Sequence, residues 1–121
     1  MTQPPSRPTV IVVEDDESVR RSIQLLLHWR GFEVRSFGGV ARLLGSSDLE
    51  TADTLVADYR LPDGDGLGVL NALRQRRWPG RAFLITGYPS VQLEADARLC
   101  GYEAVLEKPL RQHELIGLLG R

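Results

Sequence analysis

Cysteine is nearly absent from this chain: Cys100 stands alone among 121 residues. No internal disulfide can form, which fits a reducing compartment, and a single thiol is expected to serve packing. Long apolar runs are missing too. Nothing approaches the roughly 18 residues of a membrane span, and residues 1–8 are polar and proline-rich with no hydrophobic signal segment. Neither charge is in excess. The balance of 15 basic against 16 acidic side chains, a formal net charge of -1 and a pI of about 6.1 offer no electrostatic footing for nucleic acid or a lipid surface. These absences lead to the expectation of a cytoplasmic protein with no direct nucleic-acid and no membrane partner. Lysine is the last scarcity. Fourteen of the 15 basic residues are arginine, and the one lysine, Lys108, directly precedes Pro109. In a chain that otherwise uses guanidinium groups, a lone ammonium suggests a task for a compact, mobile charge.

What is present is an alternation of short apolar runs with longer amphipathic ones, predicting one domain over residues 9–121 behind an N-terminal extension of residues 1–8. Val10-Ile11-Val12-Val13 is continuous and β-branched, as a strand buried on both faces requires. Asp16 is placed to cap a helix carrying Val19, Ile23 and Leu26 or Leu27 at helical spacing and ending near Gly31. The mixed run from Phe32 to Phe37 reads as an edge strand. A short helix with Val40, Leu43 and Leu44 follows, then a third strand over Thr54-Leu55-Val56-Ala57. Leu67, Leu70 and Leu73 mark a helix that stops before Pro79-Gly80. Ala82-Phe83-Leu84-Ile85 and Ala104-Val105-Leu106 are the fourth and fifth strands. Leu110, Leu115, Leu118 and Leu119 are assigned to a closing helix. Residues 90–100 are ambiguous, because Val91, Leu93, Ala95, Ala97 and Leu99 alternate with period two although the residue types favour helix. The expected fold is α/β: a doubly wound (βα)5 domain with a five-stranded parallel sheet in flavodoxin-like order 2-1-3-4-5.

In such folds function collects at the carboxyl ends of the strands. The first strand exits into Glu14-Asp15-Asp16, the third into Asp58, the fourth into Thr86 and the fifth into Glu107-Lys108. Crowded carboxylates call for a raised pKa or a bound cation. With oxygen donors alone, a hard divalent ion such as Mg2+ is the expected one. A lysine and a threonine able to hold phosphoryl oxygens complete a set suited to phosphoryl transfer onto a carboxylate. Asp16 is the exception, since a helix N-cap explains it without a ligand role. The run Pro62-Asp63-Gly64-Asp65-Gly66 reads as turn chemistry.

The ordered motifs Val13-Glu14-Asp15-Asp16, Asp58 through Gly66, Ile85-Thr86-Gly87 and Glu107-Lys108-Pro109 resemble the receiver domain of bacterial two-component response regulators. Spacings of 43, 28 and 22 residues separate Asp15, Asp58, Thr86 and Lys108. The resemblance extends from about Thr9 to Leu119. It implies that Asp58 is the phosphoacceptor and that Asp15 and Asp58 bind Mg2+ (or Mn2+) directly. Glu14 would act through water, and the backbone carbonyl of Arg60 would complete the protein ligands. Lys108 would contact Asp58 at rest and a phosphoryl oxygen afterwards, with Pro109 after a cis peptide bond. Thr86 would swing toward the phosphoryl group and report to the face formed by residues 90–119, where a dimer is possible. The implied donor is a sensor histidine kinase or histidine phosphotransfer protein, and the downstream protein target is unknown. No turnover of a separate substrate is implied, so the chain is not expected to act as an enzyme in that sense.

Val105 departs from the pattern, since many receivers carry Tyr or Phe three residues before the lysine. A β-branched aliphatic cannot report a ring rotation. Tyr102 would have to substitute, or backbone shifts with Thr86 would carry the switch. Arg60 and Tyr88, which flank the site, are bulky enough to obstruct water, so a long-lived acyl phosphate is expected. Two other chemistries fail on single positions. A haloacid dehalogenase type of hydrolase needs a second Asp where Arg60 stands, and a calcium loop needs acids where Leu67 and Arg74 stand. The alternative that remains is a receiver-like interaction module working without phosphorylation. The length as given leaves no room for a DNA-binding output domain, which predicts a stand-alone receiver or part of a longer regulator or hybrid kinase.

Overall fold

A computed structural model describes residues 7–120. Residues 1–6 of the expected extension, and Arg121, lie outside the described residues. Five parallel strands form one sheet: β1 (Thr9–Val13), β2 (Glu33–Phe37), β3 (Thr54–Asp58), β6 (Arg81–Thr86) and β7 (Ala104–Glu107). Their order is β2-β1-β3-β6-β7, which is the expected 2-1-3-4-5 once two short strands are allowed for. Those two, β4 (Arg60–Leu61) and β5 (Gly64–Asp65), pair antiparallel across the turn after β3. Turn chemistry alone did not predict that they would form a hairpin.

Among the described residues five α-helices cover the sheet: α1 (Glu17–Trp29), α2 (Val40–Leu44), α3 (Gly66–Gln75), α4 (Val91–Cys100) and α5 (Gln112–Leu119). Side chains alternate across each strand, so the sheet divides the core in two. Ile11, Val13, Leu55, Ala57 and Leu84 face α2, α3 and α4, whereas Val10, Val12, Val56, Phe83 and Ile85 face α1 and α5. Residues 10–13 and 55–57 are buried on both sides, which accounts for their unbroken apolar character.

Asp16 caps α1 as expected, accepting from Ser18 N at 2.9 Å and Val19 N at 3.1 Å. The Val19 and Ser18 donors hold its carboxyl below the usual range. The ambiguous segment is helix α4. Leu93 and Ala97, four residues apart, face the core, while Val91, Ala95 and Leu99 form a second row that faces outward. Two helical rows offset by two residues produced the apparent strand alternation. The closing helix is shorter than expected. Leu110 lies ahead of α5 and packs against the α1/α5 side of the core, because Arg111 keeps an extended backbone (φ -91, ψ 125) and delays helix entry to Gln112.

Candidate functional site

Adjacent parallel strands bring their carboxyl ends to one rim. Register pairs Val13 with Ala57, Asp58 with Ile85, and Thr86 with Glu107. The residues at the ladder ends, Asp58 and Thr86, and those one step beyond, Glu14 and Lys108, therefore converge although they are far apart in the chain. Glu14, Asp15 and Asp58 each offer an oxygen, and these atoms lie within 4.8 Å of one another. Glu14 is fully buried and Asp58 is 6% exposed, while Asp15 is open to solvent.

Lys108 holds the buried pair together. Its Nζ donates to Glu14 Oε1 at 2.8 Å, Glu14 Oε2 at 3.0 Å and Asp58 Oδ2 at 3.0 Å. The expected contact with Asp58 is present. The two-oxygen hold on Glu14 was not anticipated, because nothing in the spacing tells whether the first acid turns inward or out to solvent. Burial, followed by the neighbouring Asp58, pushes the Glu14 carboxyl up from 4.5 to about 7, with Lys108 pulling the other way. Burial alone would lower the Lys108 pKa, but its bonds to Glu14 and Asp58 outweigh burial and raise it. The ammonium is therefore charged at neutral pH, while the Glu14 carboxyl is near its midpoint.

The rest of the set lies around this centre. Arg60 donates its backbone N–H to Asp58 Oδ1 at 3.3 Å, and its guanidinium lies 5.0 Å from the centre of the Tyr88 ring. Thr86 is buried, and its Oγ1 accepts from Tyr88 N at 3.1 Å. Lys108 N donates to Thr86 O at 2.8 Å, tying the two strand exits together, and the Lys108–Pro109 peptide is cis. Tyr102 does not stand ready to replace a mobile ring. It is 3% exposed, and its hydroxyl donates to Gly66 O at 2.6 Å. Val105 packs against the core beside it.

The donor set fits a hard divalent cation. It consists of carboxylates alone, two of them buried beside one another and only partly neutralised by Lys108. Cation binding must displace whatever proton Glu14 carries. The apparent Mg2+ affinity is thus expected to rise as pH approaches the Glu14 value of about 7 and to level off above it. Calorimetric titration in a series of buffers measures this directly, and a flat profile would show that Glu14 does not compete with the ion.

A doubly wound sheet whose rim presents three carboxylates, a lysine and a buried threonine fits phosphoryl transfer onto a carboxylate. The family model for the response regulator receiver domain matches residues 10–119, and the chain belongs to that family. Nodulation protein W of Bradyrhizobium diazoefficiens is 34% identical over 115 residues, covering 95% of this chain and 51% of that protein. Transcriptional regulatory protein FixJ of the same organism is 28% identical, covering 91% and 54%. The chain thus spans about half the length of these relatives. In fold it resembles chemotaxis protein CheY4 of Vibrio cholerae, with a TM-score of 0.88 at 21% identity and coverage of 95% and 98%. It is a phosphoacceptor receiver domain of the two-component type.

Proposed function

We propose that Asp58 takes a phosphoryl group from a phosphohistidine of a sensor histidine kinase or histidine phosphotransfer protein. Glu14, Asp15, Asp58 and the carbonyl of Arg60 would hold Mg2+ or Mn2+. The observation that carries this reading is the Lys108 ammonium bridging Glu14 and Asp58 at 2.8 to 3.0 Å. An ammonium already on the nucleophile's carboxylate is placed to follow a phosphoryl oxygen. An Asp58 oxygen attacks phosphorus, the bond from phosphorus to the donor's imidazole nitrogen breaks, and its electron pair stays on the imidazole. The product is an acyl phosphate. Charge spreads over three equatorial oxygens in the transition state, and Lys108 and the Thr86 hydroxyl each neutralise part of it. The cation, when bound, supplies the remaining neutralisation.

Thr86 would turn toward the phosphoryl group by giving up the Tyr88 N–H, which shifts the loop leading into α4. Thr86→Ala is expected to keep phosphorylation while erasing the chemical-shift changes across residues 90–119. Retention of those changes would remove Thr86 from the switch. Val91 and Leu99, 88% and 87% exposed, with Ala95 between them, give α4 an apolar outer row. That row suits the face for a downstream protein target or a second copy. The reading is of a cytoplasmic switch that catalyses only its own phosphorylation and dephosphorylation.

The test is incubation with Mg2+ and acetyl phosphate, followed by intact-mass measurement over time. One phosphoryl group is expected. Its lifetime should run well beyond seconds, because the Arg60–Tyr88 stack obstructs an attacking water. An unchanged mass, with no spectral response to beryllofluoride, would favour an interaction module that works without phosphorylation.

A further inference from the structure

The two halves of the site are both fastened to a segment that carries no reacting group. Residues 37–41 lead from β2 into α2. On one side, Glu14 donates its backbone N–H to Phe37 O at 3.0 Å, and Arg20 Nη1 donates to Glu14 O at 2.8 Å. A Cβ on Gly38 would stand 3.3 Å from that same Nη1. On the other side, Asp63 reaches across from the loop after β3. Its Oδ1 accepts from Val40 N at 2.8 Å and its Oδ2 from Ala41 N at 3.0 Å. Asp63 thereby caps α2 from 23 residues away, where the local N-cap residue, Gly39, has no side chain to do so.

Gly39 is not glycine for the sake of its backbone. Its φ of -169 and ψ of 175 are extended values open to any residue. Its neighbour supplies the reason: a Cβ there would stand 2.9 Å from Asp63 Oδ1. Gly39 leaves room for Asp63, which bonds the segment on the nucleophile-loop side, and Gly38 leaves room for Arg20, which holds the Glu14 carbonyl from α1 while Phe37 O holds the Glu14 N–H. Strand pairing holds β1 and β3 only as far as Val13 and Ala57. Asp15 lies in the loop beyond β1 and Arg60 in the short strand β4, both past the end of that ladder and next to these bonds. A cation site tolerates misplacement of only about 0.5 Å.

We propose that residues 37–41 form a bracket that sets the separation between the Glu14–Asp15 pair and the Asp58–Arg60 loop, with Arg20 and Asp63 as positioning residues. The proposal rests on the divalent-cation reading above. It distinguishes this segment from an ordinary connection, because the two fastenings have separate and predictable couplings.

The test is Mg2+ titration by calorimetry on the full chain, with thermal unfolding recorded for every variant. Asp63→Ala and Gly39→Ala should each weaken Mg2+ about tenfold, as loss of outer-shell support typically does. Because both remove the same fastening, the double variant should be no weaker than either alone. Asp63→Asn, which keeps an acceptor, should recover part of the loss. Arg20→Ala acts on the other side, so its loss should multiply with that of Asp63→Ala. Mg2+ affinity within about twofold of the parent in folded Asp63→Ala would overturn the bracket, since supported sites lose more than this. Multiplying losses for Gly39→Ala and Asp63→Ala would overturn it equally. Asp63 is at the surface, so its variants report even where Gly39→Ala does not fold. Failure of the parent chain to bind Mg2+ would instead overturn the functional reading.

Discussion

Asp58→Asn is expected to abolish phosphoryl uptake while leaving the fold as stable as the parent or more so. A carboxamide oxygen lacks the charge to attack phosphorus, and the substitution also removes an oxygen from the carboxylate cluster. Most loss-of-function changes at a buried position also cost stability, but this one should not. Asp58 is the neighbour that, after burial, raises the Glu14 carboxyl toward 7. Replacing the Asp58 carboxylate weakens the hydrogen bond and the smaller repulsion that raise Glu14, and Lys108 keeps its 2.8 Å and 3.0 Å bonds to Glu14. Intact mass after treatment with acetyl phosphate and Mg2+, paired with thermal unfolding in chelator, separates the two effects. Stoichiometric modification of the variant would place the acceptor elsewhere.

Lys108→Met is expected to have the larger structural effect. It strips both hydrogen bonds from a fully buried carboxylate, and breaking one side of such a pair costs about 3 kcal/mol. The cost should depend on pH with a definite sign. The Glu14 carboxyl titrates near 7 in the fold against 4.5 in an open chain. The folded state therefore binds more protons across that window, and stability falls as pH rises through it. Lys108 opposes the rise, so its loss moves the folded value still higher. The gap between variant and parent should then be small in mild acid, where Glu14 is neutral in both, and widen as pH passes 7. Denaturant unfolding across that range in chelator measures it, and a gap independent of pH would remove Glu14 from the account. Lys108→Arg keeps the charge but replaces a compact rotor with a rigid planar fork. It should still accept a phosphoryl group and yet fail to shift residues 90–119.

The strands were legible because burial on both faces demands continuous β-branched runs, as in Val10 to Val13 and Thr54 to Ala57. Helix α4 was less so, since its two rows, Leu93 with Ala97 and Val91 with Leu99, combine into a false period of two. Only the partners decide which row is inside. Leu110 was misassigned for a related reason: an apolar residue packed on the core just before a helix looks the same in the sequence as one inside it.

The site divides in the same way. Which residues stand at the strand exits follows from counting past apolar runs, so Glu14, Asp15, Asp58, Thr86 and Lys108 could be named from the sequence alone. Their chemistry suits a hard cation and phosphoryl transfer onto a carboxylate. Direction and distance could not be read, because they arise between residues 22 to 94 positions apart. That Glu14 turns inward onto Lys108, that Tyr102 is pinned on Gly66 rather than free to turn, and that Asp63 caps a helix it does not belong to were decided only when the sheet brought its loops together. A local pattern records what a residue can do, whereas burial and long-range hydrogen bonds determine which neighbour it does it with.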